Sequence, residues 1–373
     1  MKEVILRSPF DAHVHWRQRN TLMGQVAPYT ISQFAGALLM PNTNPNILSE
    51  KELSWYQDDV AKQLADEKFL ALMTYYLSPT LSEADFDFAM DSRFLFGGVK
   101  YYPKGGTTNS SKGSLGFSSV MHVLEYMQQK QIPLLIHGEV ASDPNGIMID
   151  DFHREQVFYE TEMENLRKRF PELPLVMEHI TTQEAVEFVL RHDYVRATIT
   201  PQHLLFDRRA LFNGVTADER SFYYDTEKNG MHPAQMCRPI LKSEKHVSAL
   251  RKALLIQHTQ GLHKFGLGTD SAPHTADKKY CECGACGVFS APIALQLYAM
   301  AFDEIGILNH LPVFACDVMP EFYKIKDKLS HKTIWITNSS CGTDVLPDYN
   351  GIVTPFAGQT IPFTATDVTN AHL

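Results

Sequence analysis

Two histidines, His13 and His15, stand two residues apart in "FDAHVHWR" near the amino terminus. In extended backbone alternate side chains share a face, so both imidazoles point the same way. Further along, apolar runs carry metal-binding or proton-carrying groups at their ends: "FGGVKYY" holds Lys100, "PLLIHGE" His137, "LPLVMEHI" His179 and "KFGLGTDS" Asp270. Four neutral imidazoles and a carboxylate suit borderline divalent ions, zinc first, with cobalt or manganese as substitutes. Two ions fit such a set if something bridges them. A lysine of ordinary basicity is a cation that this site repels. Deprotonated by burial and nearby positive charge, the Lys100 amine can instead add carbon dioxide, giving a carbamate with one oxygen for each metal. A lone buried histidine is more often a bonded core residue, and a lone lysine can snorkel or pair with an acid. The metal reading rests on the joint pattern.

The elements that must position these residues are legible as alternation. Short β-leaning runs occur at "VILRSPFDAHVH", "GALLMPN", "FLALMTYYL", "FGGVKYY", "PLLIHGE", "LPLVMEHI", "YVRATITP" and "KFGLGTDS". Between them, residues 49–68, 119–130, 181–192 and 243–258 carry apolar positions at helical spacing. Strands apolar on both faces belong to parallel sheets covered by helices, and eight repeats predict an α/β fold, a (β/α)8 TIM barrel. Its catalytic face is built at the carboxyl ends of the strands, which is where the metal-binding side chains fall. The chain reads as one domain over 1–373, with the part from about 290 packing on the barrel exterior. The polar stretch 207–236 reads as an excursion over the mouth or rim.

Composition narrows the classes. With 34 basic and 43 acidic residues the formal charge is −9, and no basic run offers a footprint for nucleic acid or an anionic membrane. No apolar stretch approaches the roughly 18–20 residues of a membrane span, and the amino terminus lacks a signal-peptide core. Six cysteines, too few and too clustered for a disulfide scaffold, predict reduced thiols and a cytoplasmic location.

The segments "FDAHVHWR", "LLMPNTNP", "GVKYYPKGGTTNSS", "PLLIHGEV", "VMEHITT", "ATITPQHL", "RPILK" and "LGTDSAPH" together resemble a monofunctional bacterial-type dihydroorotase of the amidohydrolase superfamily. The resemblance implies the reversible cyclisation of N-carbamoyl-L-aspartate to L-dihydroorotate, with loss of water, in pyrimidine synthesis. It implies that His13, His15, Lys100 and Asp270 hold one metal and Lys100, His137 and His179 the other. A hydroxide shared by two cations is a nucleophile near neutral pH, and Asp270 would accept and return the proton. Arg17 suits the unreactive carboxylate of the substrate, because a planar guanidinium grips it at two points. The resemblance adds Asn42 and His274 as partners of Arg17. Thr107 and Thr108 would be the tip of a mobile loop at 104–113, and Arg238 and Gly284 would contribute main-chain contacts to the substrate ring. It also implies a homodimer.

Two features stand apart. "CECGAC" places Cys281, Cys283 and Cys286 close together, yet structural zinc wants a fourth ligand that is not nearby. The segment reads as a loop of reduced thiols near the substrate. A hydantoinase, dihydropyrimidinase or allantoinase would share the metal ligands, and Arg17, Asn42 and His274 favour a substrate bearing a free carboxylate. A non-catalytic scaffold would have lost the ligands, and all six are present.

Overall fold

The computed structural model describes residues 2–371 apart from 19, 65–67, 105–108, 111–112, 114–115, 144, 213–230, 283 and 347. Each of the eight β-leaning runs supplies a strand to one parallel sheet: β2 (Phe10–Val14), β3 (Gly36–Leu39), β4 (Leu70–Tyr76), β5 (Leu95–Tyr101), β6 (Leu134–Ile136), β7 (Leu175–Met177), β8 (Val195–Ile199) and β9 (Phe265–Leu267). They are ordered β2 to β9 as in the chain, and the ends of the sheet meet at the mouth, where Asp270 N–H donates to His13 O at 2.9 Å and His15 N–H to Ser271 O at 3.1 Å. The expected (β/α)8 barrel is the fold observed.

The first run divides. "VILRSPFDAHVH" makes two strands, because β1 (Glu3–Arg7) alternates buried and exposed positions whereas β2 is buried throughout. β1 leaves the barrel and pairs with β10 (Thr333–Asp344), which pairs in turn with β11 (Thr360–Asp367), in a separate antiparallel sheet. The four periodic segments form helices at Glu50–Leu64, Met121–Lys130, Gln183–Arg191 and Glu244–Gln260. Glu50–Leu64 buries Leu53, Tyr56, Val60 and Leu64, one face at helical spacing. Helix Met23–Gln33 carries Pro28 in its interior, a residue that argues against a helix in the sequence.

The barrel interior packs Phe10, Ala12, Leu38, Leu72, Leu135 and Val176 against Val318, Met319 and Ile325 from the carboxyl-terminal part. Two bulges reverse the alternation above this layer. In β2 the pairing to β3 slips between Asp11 and Val14, so Phe10 and Ala12 face the interior cluster while Val14 joins the outer core. In β5 the slip against β4 falls at Gly97, and Val99 and Tyr101 join the outer core. Gly98 has φ +135°, and a Cβ there would lie 2.4 Å from Pro133 O, so this position requires glycine. No helix among the described residues is long and apolar enough to cross a membrane.

Candidate active site

The bulges deliver His13, His15 and Lys100 to the mouth, where they meet residues from β6, β7 and β9. His13 Nε2 and His15 Nε2 are 3.2 Å apart, and Asp270 Oδ1 lies 3.2 Å from the first and 3.0 Å from the second. The His179 ring centroid is 5.0 Å from that of His13 and 4.7 Å from that of His137. Lys100 Nζ lies against the Glu178 carboxylate, whose other oxygen is 3.2 Å from His13 Nδ1. Lys100 also sits 5.0 Å from the Tyr102 ring centroid. His137 Nε2 pairs with Glu139 Oε2 at 2.6 Å. The six residues expected to bind metal are thus brought to one place, all of them buried.

The electrostatics follow from that burial. Desolvation lowers the pKa of His13, His137 and His179, and that of His15 to about 3, so the imidazoles are neutral and their lone pairs available. Burial also pushes the Lys100 amine well below its usual value, with the Asp270 charge opposing only in part. Burial by itself would raise Asp270, but His13, His15 and His179 hold it well below the usual carboxylate range. Among the described residues His179 Nδ1 has no hydrogen-bond partner. Among the described residues two sets of donors lie close enough to hold an ion: His13, His15 and Asp270, and His13, Glu178 and His179. The chain therefore carries candidate metal-binding groups.

Behind them, Asp11 Oδ1 accepts from Thr269 N–H at 2.9 Å and His13 N–H at 3.2 Å, and Oδ2 accepts from the Thr269 hydroxyl at 2.6 Å. One carboxylate thereby ties β2 to the segment carrying Asp270. Burial raises Asp11 to about 6.

A cleft opens over this cluster, lined by Arg17, Asn42, Tyr102, Arg238, Cys286 and Gly287 besides His13, His15, His137, His179 and Asp270. Arg17 Nη2 lies 3.1 Å from His274 Nε2, and its Nε–H donates to Pro273 O at 3.3 Å. Burial lowers Arg17 to about 10 and His274 to about 3, leaving a cation beside a neutral ring. Asn42 is held through its carbonyl, which accepts from Asn109 Nδ2 at 3.0 Å. The Arg238 side chain is engaged by Asp151. Gly284 does not line the cleft; its N–H turns back to Cys281 O at 3.0 Å, and Cys286 and Gly287 form the wall. Thr107, Thr108 and Cys283 lie outside the described residues, as does most of the excursion at 207–236.

Glu178, Glu139, Tyr102 and Asp11 were not singled out from the sequence. Alternation from Val176, an interior residue of β7, points to Glu178 as the next inward position, and "HGE" places Glu139 two residues beyond His137.

No family model matches the chain. It is 41% identical over 362 residues to the dihydroorotase of Picosynechococcus sp., an alignment covering 96% of this chain and 97% of that one. The crystal structure of dihydroorotase from Campylobacter jejuni covers 98% of each chain at 30% identity, with a TM-score of 0.81. Dihydroorotase from Saccharomyces cerevisiae in complex with 5-fluoroorotic acid covers 98% of this chain and 99% of its own at 27% identity, with a TM-score of 0.83. With this identity running through nearly its whole length, and with every residue of the expected metal set gathered at the barrel mouth, the chain belongs to the dihydroorotase family of cyclic amidohydrolases.

Proposed function

We propose that this cleft interconverts N-carbamoyl-L-aspartate and L-dihydroorotate, closing or opening a cyclic amide. The observation that carries the reading is the buried convergence of His13, His15, Lys100, His137, His179 and Asp270 beside the Arg17–His274 pair.

Neutral imidazoles, the unpartnered His179 Nδ1 and the lowered amine of Lys100 fit two divalent ions, with zinc the first choice. His13, His15 and Asp270 would hold one, His137 and His179 the other, and Lys100, as its carbamate, both. Bound there, the ions supply Lewis acidity and a water-derived nucleophile at neutral pH.

The chain's own groups do the rest. In ring opening, Asp270 takes the proton released by the attacking water and delivers it to the leaving ring nitrogen; closure runs the same transfers backwards. Arg17 and His274, with Asn42, bind the carboxylate that does not react, and Tyr102, Cys286 and Gly287 exclude water around the ring. Thr107 and Thr108 are assigned hydrogen bonds to the substrate. A homodimer in the cytoplasm is the assembly and location proposed.

The test is a metal count on the purified chain with turnover of L-dihydroorotate, dihydrouracil, hydantoin and allantoin, for the parent and D270N. The reading expects about two metals per chain, a preference for dihydroorotate, and a loss of at least about 10²-fold in kcat with metal retained in D270N. Preference for an uncharged ring would overturn the carboxylate assignment, and a chain with neither metal nor turnover would overturn the whole reading.

A further inference from the structure

A buried lysine beside the cleft is unused by the reaction described above. Lys279 ends the short helix Ala276–Lys279, five residues beyond His274, and is 2% exposed. Its Nζ lies 3.0 Å from Met236 O, 3.0 Å from Ala285 O and 2.7 Å from Gly287 O. Three carbonyl acceptors use all three protons of an ammonium, and a neutral amine could satisfy only two of them. Buried lysines are ordinarily paired with acids. Among the described residues no carboxylate forms an ion pair with Lys279. Its charge is given to main chain instead, although burial pulls the ammonium down to about 8.

The three carbonyls belong to two segments distant in sequence, which also meet where Gly287 N–H donates to Met236 O at 2.9 Å. Both segments supply the wall of the cleft through Arg238, Cys286 and Gly287. Cys286 O lies 3.0 Å from His274 Nε2; with the proton on Nε2 this bond fixes the ring, and the Arg17 guanidinium, 3.1 Å away, is packed against the ring and not bonded to it. At Gly287, φ is +150° and a Cβ would lie 2.5 Å from Ala272 O, so this wall is seated closely against the segment that follows Asp270.

We propose that Lys279 is a positioning residue for substrate binding: its ammonium pins the segments at 236 and 285–287 together, and through Cys286 O it sets His274 and Arg17 for the substrate carboxylate. The proposal rests on the reading of Arg17 and His274 as the carboxylate site.

The experiment compares K279M, K279Q and K279R with the parent, measuring KM and kcat for dihydroorotate alongside metal content, with R17M as the reference variant. Loss of three hydrogen bonds to a charged donor should raise KM in K279M about tenfold or more, while kcat stays within about threefold and metal content is unchanged. K279R, which keeps charge and donors, should recover most of that loss, and K279Q less. A KM within about twofold of the parent in K279M, or kcat falling together with metal content, would overturn the proposal, because the lysine would then be acting on nothing or on the whole fold. If K279M does not fold, the other pair decides, and equal KM values in K279Q and K279R count against it. R17M separates the two readings: an unchanged KM there defeats the carboxylate site itself, whereas a raised KM in R17M with none in K279M defeats the role of Lys279 alone.

Discussion

Three residues of the site hold backbone conformations that their side chains disfavour: Arg17 at φ +62°, His179 at +42° and Asp270 at +46°. Each such position costs on the order of 1–3 kcal/mol and persists only where the surroundings over-determine it. Here the strained turns aim side chains that lie beyond the ends of their strands into a common space. Burial imposes a second local cost at Glu155, whose carboxyl accepts from Thr181 N–H at 2.9 Å and is raised by desolvation to about 7 from 4.5. The folded chain therefore binds a proton that the unfolded chain has released between those pH values, and stability falls as pH rises through the window. In Glu155→Gln this loss should vanish, so the variant gains on the parent by a few kcal/mol between about pH 5 and pH 8. Urea midpoints at the two pH values measure it, and a constant difference would contradict the assignment.

At the scale of elements, the bulges are what turn His13, His15 and Lys100 toward the mouth. Without the slip at Gly97, alternation from the inward Leu95 would have turned Val99 inward and Lys100 outward; with it, Val99 and Tyr101 join the outer core and Lys100 faces in. Gly98 permits it by adopting φ +135° against Pro133. Gly98→Ala should lower stability by about 1–3 kcal/mol and reduce bound metal, because relieving the contact moves Lys100. Thermal midpoint and metal content test this together, and a fall in midpoint with full metal would show that the bulge serves packing alone.

Over the whole molecule, the end of the chain completes the barrel core. Val318, Met319 and Ile325 pack with Phe10 and Leu135, and a Cβ on Gly266 would lie 2.5 Å from Met319 Cγ. β1 and β11 flank β10, so the strand that leads directly into β2 is tied to residues 333–367 in one antiparallel sheet. Met319→Ala should cost roughly 2–5 kcal/mol, read as a lower thermal midpoint, with KM for dihydroorotate unchanged because the side chain lies among strand residues below the cleft. A selective change in KM would mean that this layer reaches the substrate.

Spacing and residue type by themselves determined the donor set, the eight-fold alternation and the barrel. His137 is the clearest case, since alternation from the interior Leu135 puts it inward with no further assumption. The pair His13 and His15 was legible as two imidazoles on one side, but which side depended on a slip against β3 that no local pattern announces. Glu178, Lys279 and Gly287 carry no such signal for a related reason: their roles are set by partners distant in sequence, as Glu178 by Lys100 and His13, and Lys279 by Met236. Side-chain chemistry and period are written locally, so the sequence declares them. Register, bulges and the meeting of distant segments depend on which backbones pair, and only the closed barrel decides that.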